Sequence, residues 1–88
     1  MHRALIIEFL GTLFFVFVIF ATKNYIAIGA ILALLVLLGG PISGGYYNPA
    51  VAIANMLAGN LGNHMVIPYI LAEVFGGICG FFLYKKIF

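Results

Sequence analysis

The stretch GGPISGGYYNPAVAIANMLAGN, Gly39 to Asn60, interrupts a chain that is otherwise almost continuous apolar sequence. The apolar run after Pro49, Ala50 to Leu61, is too short to cross a hydrocarbon core about 30 Å thick. At about 1.5 Å of rise per residue it reaches roughly halfway. The segment before it is rich in glycine, which permits sharp, non-helical backbone. Such backbone survives at membrane depth only where it is buried in protein or lines a wet cavity. The reading is therefore a re-entrant loop over about 41–60: a non-helical descent, then a half-helix returning to the surface it came from.

The start of that half-helix is well formed. Asn48 is a favoured N-cap whose side-chain oxygen can accept a first-turn N–H. Pro49 at the first helical position loses nothing by lacking one. With its oxygen engaged, Asn48 keeps an amide NH2 facing outward, at the positive end of the helix dipole. That arrangement donates hydrogen bonds and repels cations. An ordinary capped turn between two membrane helices is the plainer alternative.

Outward from this stretch, the 88 residues are 66% hydrophobic and 7% charged, with a mean hydropathy of +1.26. Soluble domains carry about 25% charged residues, so the composition suits lipid. Spans are expected at about 4–22, 25–40 and 67–84, giving an all-α membrane protein of three transmembrane helices plus the half-helix, in a single domain over 1–88. The last span opens near Pro68 and ends at Lys85 and Lys86, which can snorkel to the interface. The opening MHR and its apolar run have the outline of a secretory leader. However, Glu8 falls inside the apolar region and no small-x-small site precedes Lys23, so the run is expected to remain as the first span.

Several function classes lack their residues. The net charge of +2 is small and dispersed, which argues against nucleic acid. No Cys/His cluster, Ser-His-Asp set or phosphate-binding glycine loop is present, so no enzymatic site, cofactor or metal is expected. Cys79, the single cysteine, reads as a small packing residue, and His64 as a solvated turn residue.

SGGYYNPAV, Ser43 to Val51, resembles the signature loop of the major intrinsic proteins, the aquaporins and aquaglyceroporins. The flanks agree: IIEFLGT, Ile6 to Thr12, is similar to the opening of that family's first helix, and YILAEVFGGICG, Tyr69 to Gly80, resembles its third. The match is to the first of two inverted repeats, because Val51 stands where the second repeat has an arginine. The resemblance implies a channel component for water and small neutral solutes such as glycerol, seated in the bilayer. A single repeat cannot enclose a pore, so it also implies a second half: an antiparallel copy, a complementary chain, or a larger oligomer. Arg3 lies on one side of the bilayer and Lys23, Lys85 and Lys86 on the other. The positive-inside rule then favours an orientation opposite to the family's.

Residue roles follow from the resemblance. Asn48, Pro49, Ala50 and Val51 belong to the pore, with Ile28 at the place where water-specific members tend to have an aromatic. Ile28, Leu32, Leu35 and Val51 are expected as apolar walls. Glu8 is expected to hold backbone donors of the loop, supported by Ser43, Gly44 and Gly45; a partly solvated interfacial glutamate is its alternative. Tyr46 either lines the pore mouth or anchors at the interface. Glu73 stands where the family usually has glutamine, and its role stays open. Gly76, Gly77 and Gly80 form a small-residue face for close helix approach, and Gly11 and Gly29 are expected to serve the same crossings. A holin-like or non-conducting small membrane protein, or a truncated channel fragment, remains the alternative; a holin has no need of Asn48-Pro49-Ala50.

Overall fold

A computed structural model describes residues 2–88. Its elements are α1 (His2–Thr22), α2 (Tyr25–Ser43), the short α3 (Pro49–Leu57), a 3-10 turn (Asn63–Met65) and α4 (Val66–Ile87). Among the described residues, three helices are long and apolar enough to cross a membrane. At 1.5 Å per residue, the 21 residues of α1 reach about 31 Å, matching a hydrocarbon core. The molecule is 39 Å along its longest axis. Most large apolar side chains point outward, including Ile26, Leu37, Leu38, Ile67 and Phe82, as lipid-facing helices require. The chain is an integral, multi-pass membrane protein.

The α1–α2 turn is built by Asn24, whose side chain caps α2 by accepting from the N–H groups of Ile26 and Ala27 at 3.0 Å. The α1–α4 crossing depends on two glycines. A Cβ on Gly76 would collide with the Phe9 carbonyl oxygen, and one on Gly80 with that of Leu13. Only hydrogen lets these backbones meet. Gly77 is looser, its nearest neighbour being Val16 Cγ2 at 3.5 Å.

Three expectations change here. α2 does not end at Gly40 but runs on through Pro41 to Ser43, so the non-helical descent is confined to 44–48. Pro41 removes one backbone donor, a loss that membrane helices tolerate when neighbours re-satisfy the freed groups. The helix stops instead at Gly44, in the left-handed region with φ 93°, where its N–H bonds the Gly40 carbonyl at 2.8 Å. Gly29 serves no crossing within the chain, since nothing lies within 4 Å of a Cβ placed there. Cys79 is exposed rather than packed.

Candidate functional site: the re-entrant loop and its groove

The loop is fixed by one carboxylate. Glu8, wholly buried on α1, accepts from Ser43 Oγ at 2.7 Å and the Tyr46 N–H at 3.1 Å through Oε2. Its Oε1 accepts from the Tyr47 N–H at 2.8 Å. A carboxylate offers about four acceptor positions, and three are filled by the segment just before Asn48. Ser43 Oγ also receives the Gly45 N–H at 3.1 Å, and the Ser43 carbonyl accepts from the Tyr69 hydroxyl at 2.7 Å. Tyr46 packs its ring on Tyr69, centroids 5.8 Å apart, so it lies half-buried against α4.

Asn48 begins α3 as its cap, with Oδ1 accepting the Ala50 N–H at 2.8 Å and Pro49 in the first turn. The depth of the half-helix follows from its neighbours at each end. Asn48 and Pro49 share a groove with Thr12, Glu73 and Gly77, near the middles of α1 and α4. Ala52, fully buried, packs with Leu61 and Tyr69 against Ala4, Leu5, Met65 and Val66, where α1 and α4 begin. The chain thus enters to mid-depth, turns at Asn48 and returns to the side from which α4 starts. After α3 it reverses at Gly59, φ 84°.

The groove has a volume of about 600 Å³. Its polar end holds Asn48, Thr12 and Glu73; beyond it run Phe15, Val16, Phe20, Ile78, Phe81 and Phe82. Glu73 is buried, and neither its carboxyl oxygens nor Thr12 Oγ1 meets a donor or acceptor among the described residues. Glu73 lies close to Glu8 and to the Asn48 backbone. A second carboxyl thus lies beside the loop that Glu8 grips.

The structure brings Asn48, Pro49, Glu8, Ser43, Gly44 and Gly45 together. It does not bring Ile28 or Leu32 to the groove, whose walls come from α1 and α4. Leu35 instead lines a separate cavity of about 230 Å³ between α1 and α2, with Gly11, Gly39 and Tyr47. Val51 is exposed on α3. Gly11 makes room for the Tyr47 ring rather than for a helix crossing. Sequence reasoning missed Tyr47 itself, which is buried with its hydroxyl donating to the Leu35 carbonyl at 2.6 Å. The only available signal was a bulky residue next to Asn48 in a chain carrying Gly11 and Gly39.

The family model described as Major intrinsic protein matches residues 1–88. The chain belongs to the major intrinsic protein family. Among curated relatives, it is 46% identical over 57 residues to "Aquaglyceroporin AqpS" of Rhizobium meliloti (strain 1021), covering 65% of this chain and 24% of that protein. It is 42% identical over 67 residues to "Aquaporin-8" of Rattus norvegicus, covering 76% and 24%. It is 35% identical over 101 aligned positions to "Probable aquaporin PIP2-8" of Arabidopsis thaliana, covering 96% and 36%. The chain thus spans about a quarter to a third of the length of these relatives. No solved structure matches it. Family and architecture agree with half of an aquaporin fold: three spanning helices and one half-helix.

Proposed function

We propose that this chain forms one half of a transmembrane passage for water and small neutral solutes, closed by a second half in inverted orientation. The observation that carries the reading is Asn48: its oxygen is pinned by Ala50, which leaves the amide NH2 in an open groove at mid-depth. An amide held in this way can donate to the oxygen of a passing water and turn it. That reorientation interrupts the hydrogen-bonded file along which a proton would travel, while the positive end of α3 disfavours cations.

The groove supports the need for a second half. α3 has 9 residues, about 13.5 Å of helix. From Thr12 to Phe20 the unfilled part of the groove follows eight residues of α1, about 12 Å. A second half-helix of the same length, entering from the opposite face, fits that span and would place two amides near each other. The partner is another copy of this chain or a complementary half, as inverted-repeat channels require. In an assembly of two copies of this chain, Val51 stands at both places where an arginine would narrow and charge the passage, so glycerol should pass as well as water. A relative named as an aquaglyceroporin is consistent with this.

The test is light-scattering of vesicles carrying the chain under water and glycerol gradients. Both fluxes should exceed those of protein-free vesicles, and Asn48→Leu should abolish them. Swelling in water gradients with exclusion of glycerol would remove the solute assignment. Lytic leakage that survives Asn48→Leu would place the chain with the holins.

A further inference from the structure

Tyr47 is held more tightly than a spacer before Asn48 needs to be. Its backbone lies in the left-handed region, φ 54°, which is unfavourable for a bulky side chain and persists only where surroundings over-determine it. Here they do so from two helices. The backbone N–H donates to Glu8 on α1 at 2.8 Å, and the phenol hydroxyl donates to the Leu35 carbonyl on α2 at 2.6 Å. The ring lies in a slot floored by two glycines. A Cβ on Gly11 would overlap the ring edge, 2.6 Å from Cδ1 and 2.8 Å from Cζ. A Cβ on Gly39 would strike the hydroxyl itself and lie 2.7 Å from Ile7 Cγ2 and 3.2 Å from Cζ. One glycine therefore makes room for the ring and the other for the oxygen and the Ile7 methyl.

We propose that Tyr47 is a positioning residue: a bolt seated between Gly11 of α1 and Gly39 of α2 that sets the depth and direction of the adjoining Asn48 amide. The inference rests on the reading that Asn48 faces an aqueous passage, and it adds the device that aims it. Without the bolt, Glu8 still holds the loop's N–H groups, but the peptide that leads into the cap is free to rotate. The two-glycine geometry makes the proposal specific, because each collision has its own remedy. Removing the hydroxyl, in an Ile7→Leu background that also takes away the Cγ2 methyl, relieves Gly39→Ala, whereas only shrinking the ring relieves Gly11→Ala.

The experiment uses the full chain in lipid vesicles with Ile7→Leu and Cys79→Ala throughout, the former to clear the second contact of a Gly39 Cβ, and a reporter Val51→Cys on the exposed side of α3. It reads the rate of reaction with a small water-soluble thiosulfonate, with water flux measured in parallel on chains without the reporter. Gly39→Ala should change the labelling rate at least fivefold and lower flux about tenfold. Adding Tyr47→Phe should bring both to within about threefold of Tyr47→Phe alone. Gly11→Ala should be restored by Tyr47→Leu and not by Tyr47→Phe. The bolt is refuted if Tyr47→Phe fails to rescue Gly39→Ala, or rescues Gly11→Ala equally well. Tyr47→Leu alone adds no atoms, so it makes no collision where the alanines do. It should shift labelling at least threefold, and a rate equal to that of the parent chain also refutes the bolt. If the labelling pattern holds while even the parent chain conducts no water, the channel reading fails and the positioning role stands.

Discussion

The groove between α1 and α4 has two halves that differ in one respect. Toward the start of both helices it is filled: α3 lies in it, Ala52 is fully buried, and Leu61 and Tyr69 close the cluster. Toward their ends it is lined by Phe15, Val16, Ile78 and Phe82 and left open, with Phe20 and Phe81 in edge contact at 5.0 Å at its far end. One set of walls thus accommodates a half-helix on one side of mid-depth and offers a matching trough on the other. The polar cluster of Glu8, Glu73, Thr12 and Asn48 sits at the boundary. The comparison teaches that the chain builds a complete site for its own half-helix and an incomplete one beside it.

The largest effect is expected where the filled half is anchored. Glu8→Leu leaves the Tyr46 and Tyr47 N–H groups without their acceptor, while the Ser43 hydroxyl keeps the Gly39 carbonyl at 3.3 Å. At about 1–3 kcal/mol for each orphaned buried donor, the cost is on the order of 4 kcal/mol. Unfolding in mixed detergent micelles should show that loss, together with loss of flux. Next comes Gly76→Ala, which forces the Phe9 carbonyl and hence α1 away from α4, costing about 2 kcal/mol. Gly77→Ala meets only ordinary van der Waals neighbours and should stay within about 0.5 kcal/mol of the parent. If the two glycines behaved alike, the crossing would not be where the backbone places it.

The open half gives a different signature. Gly77→Leu directs a larger side chain into the trough, and it should abolish water flux while shifting the unfolding midpoint little. A parallel fall in both would mean that the trough is part of this chain's own core. An effect between those of Gly76→Ala and Gly77→Ala is expected from Tyr69→Phe, which deletes one hydrogen bond to the Ser43 carbonyl, worth about 1 kcal/mol.

Much of this arrangement was readable from the sequence, and the unread part has a physical cause. Three apolar runs mark the spans because lipid imposes their length, and Asn48-Pro49 marks a helix start because capping is local chemistry. The end of α2 was misread: Gly39-Gly40-Pro41 looks like a break, yet the helix continues to a left-handed Gly44. The grip of Glu8 on the loop came from family resemblance rather than from the residues, since 38 positions separate it from the Tyr46 N–H that it binds. Tyr47 was invisible for the same reason. Its slot is assembled from Gly11 and Gly39, which only the folded chain brings together, and its positive φ contradicts the preference of an aromatic residue. Ile28 and Leu32 lie away from the groove, because a place along α2 does not say which face meets it.

The central claim is that the amide of Asn48 stands in an aqueous passage at mid-bilayer. It is tested most directly by comparing osmotic water flux in vesicles carrying the parent chain with flux in vesicles carrying Asn48→Leu at equal density. The account predicts permeability above that of bare lipid for the parent and bare-lipid permeability for the variant. A parent chain no more permeable than bare lipid, or a variant that conducts as well as the parent, would contradict it.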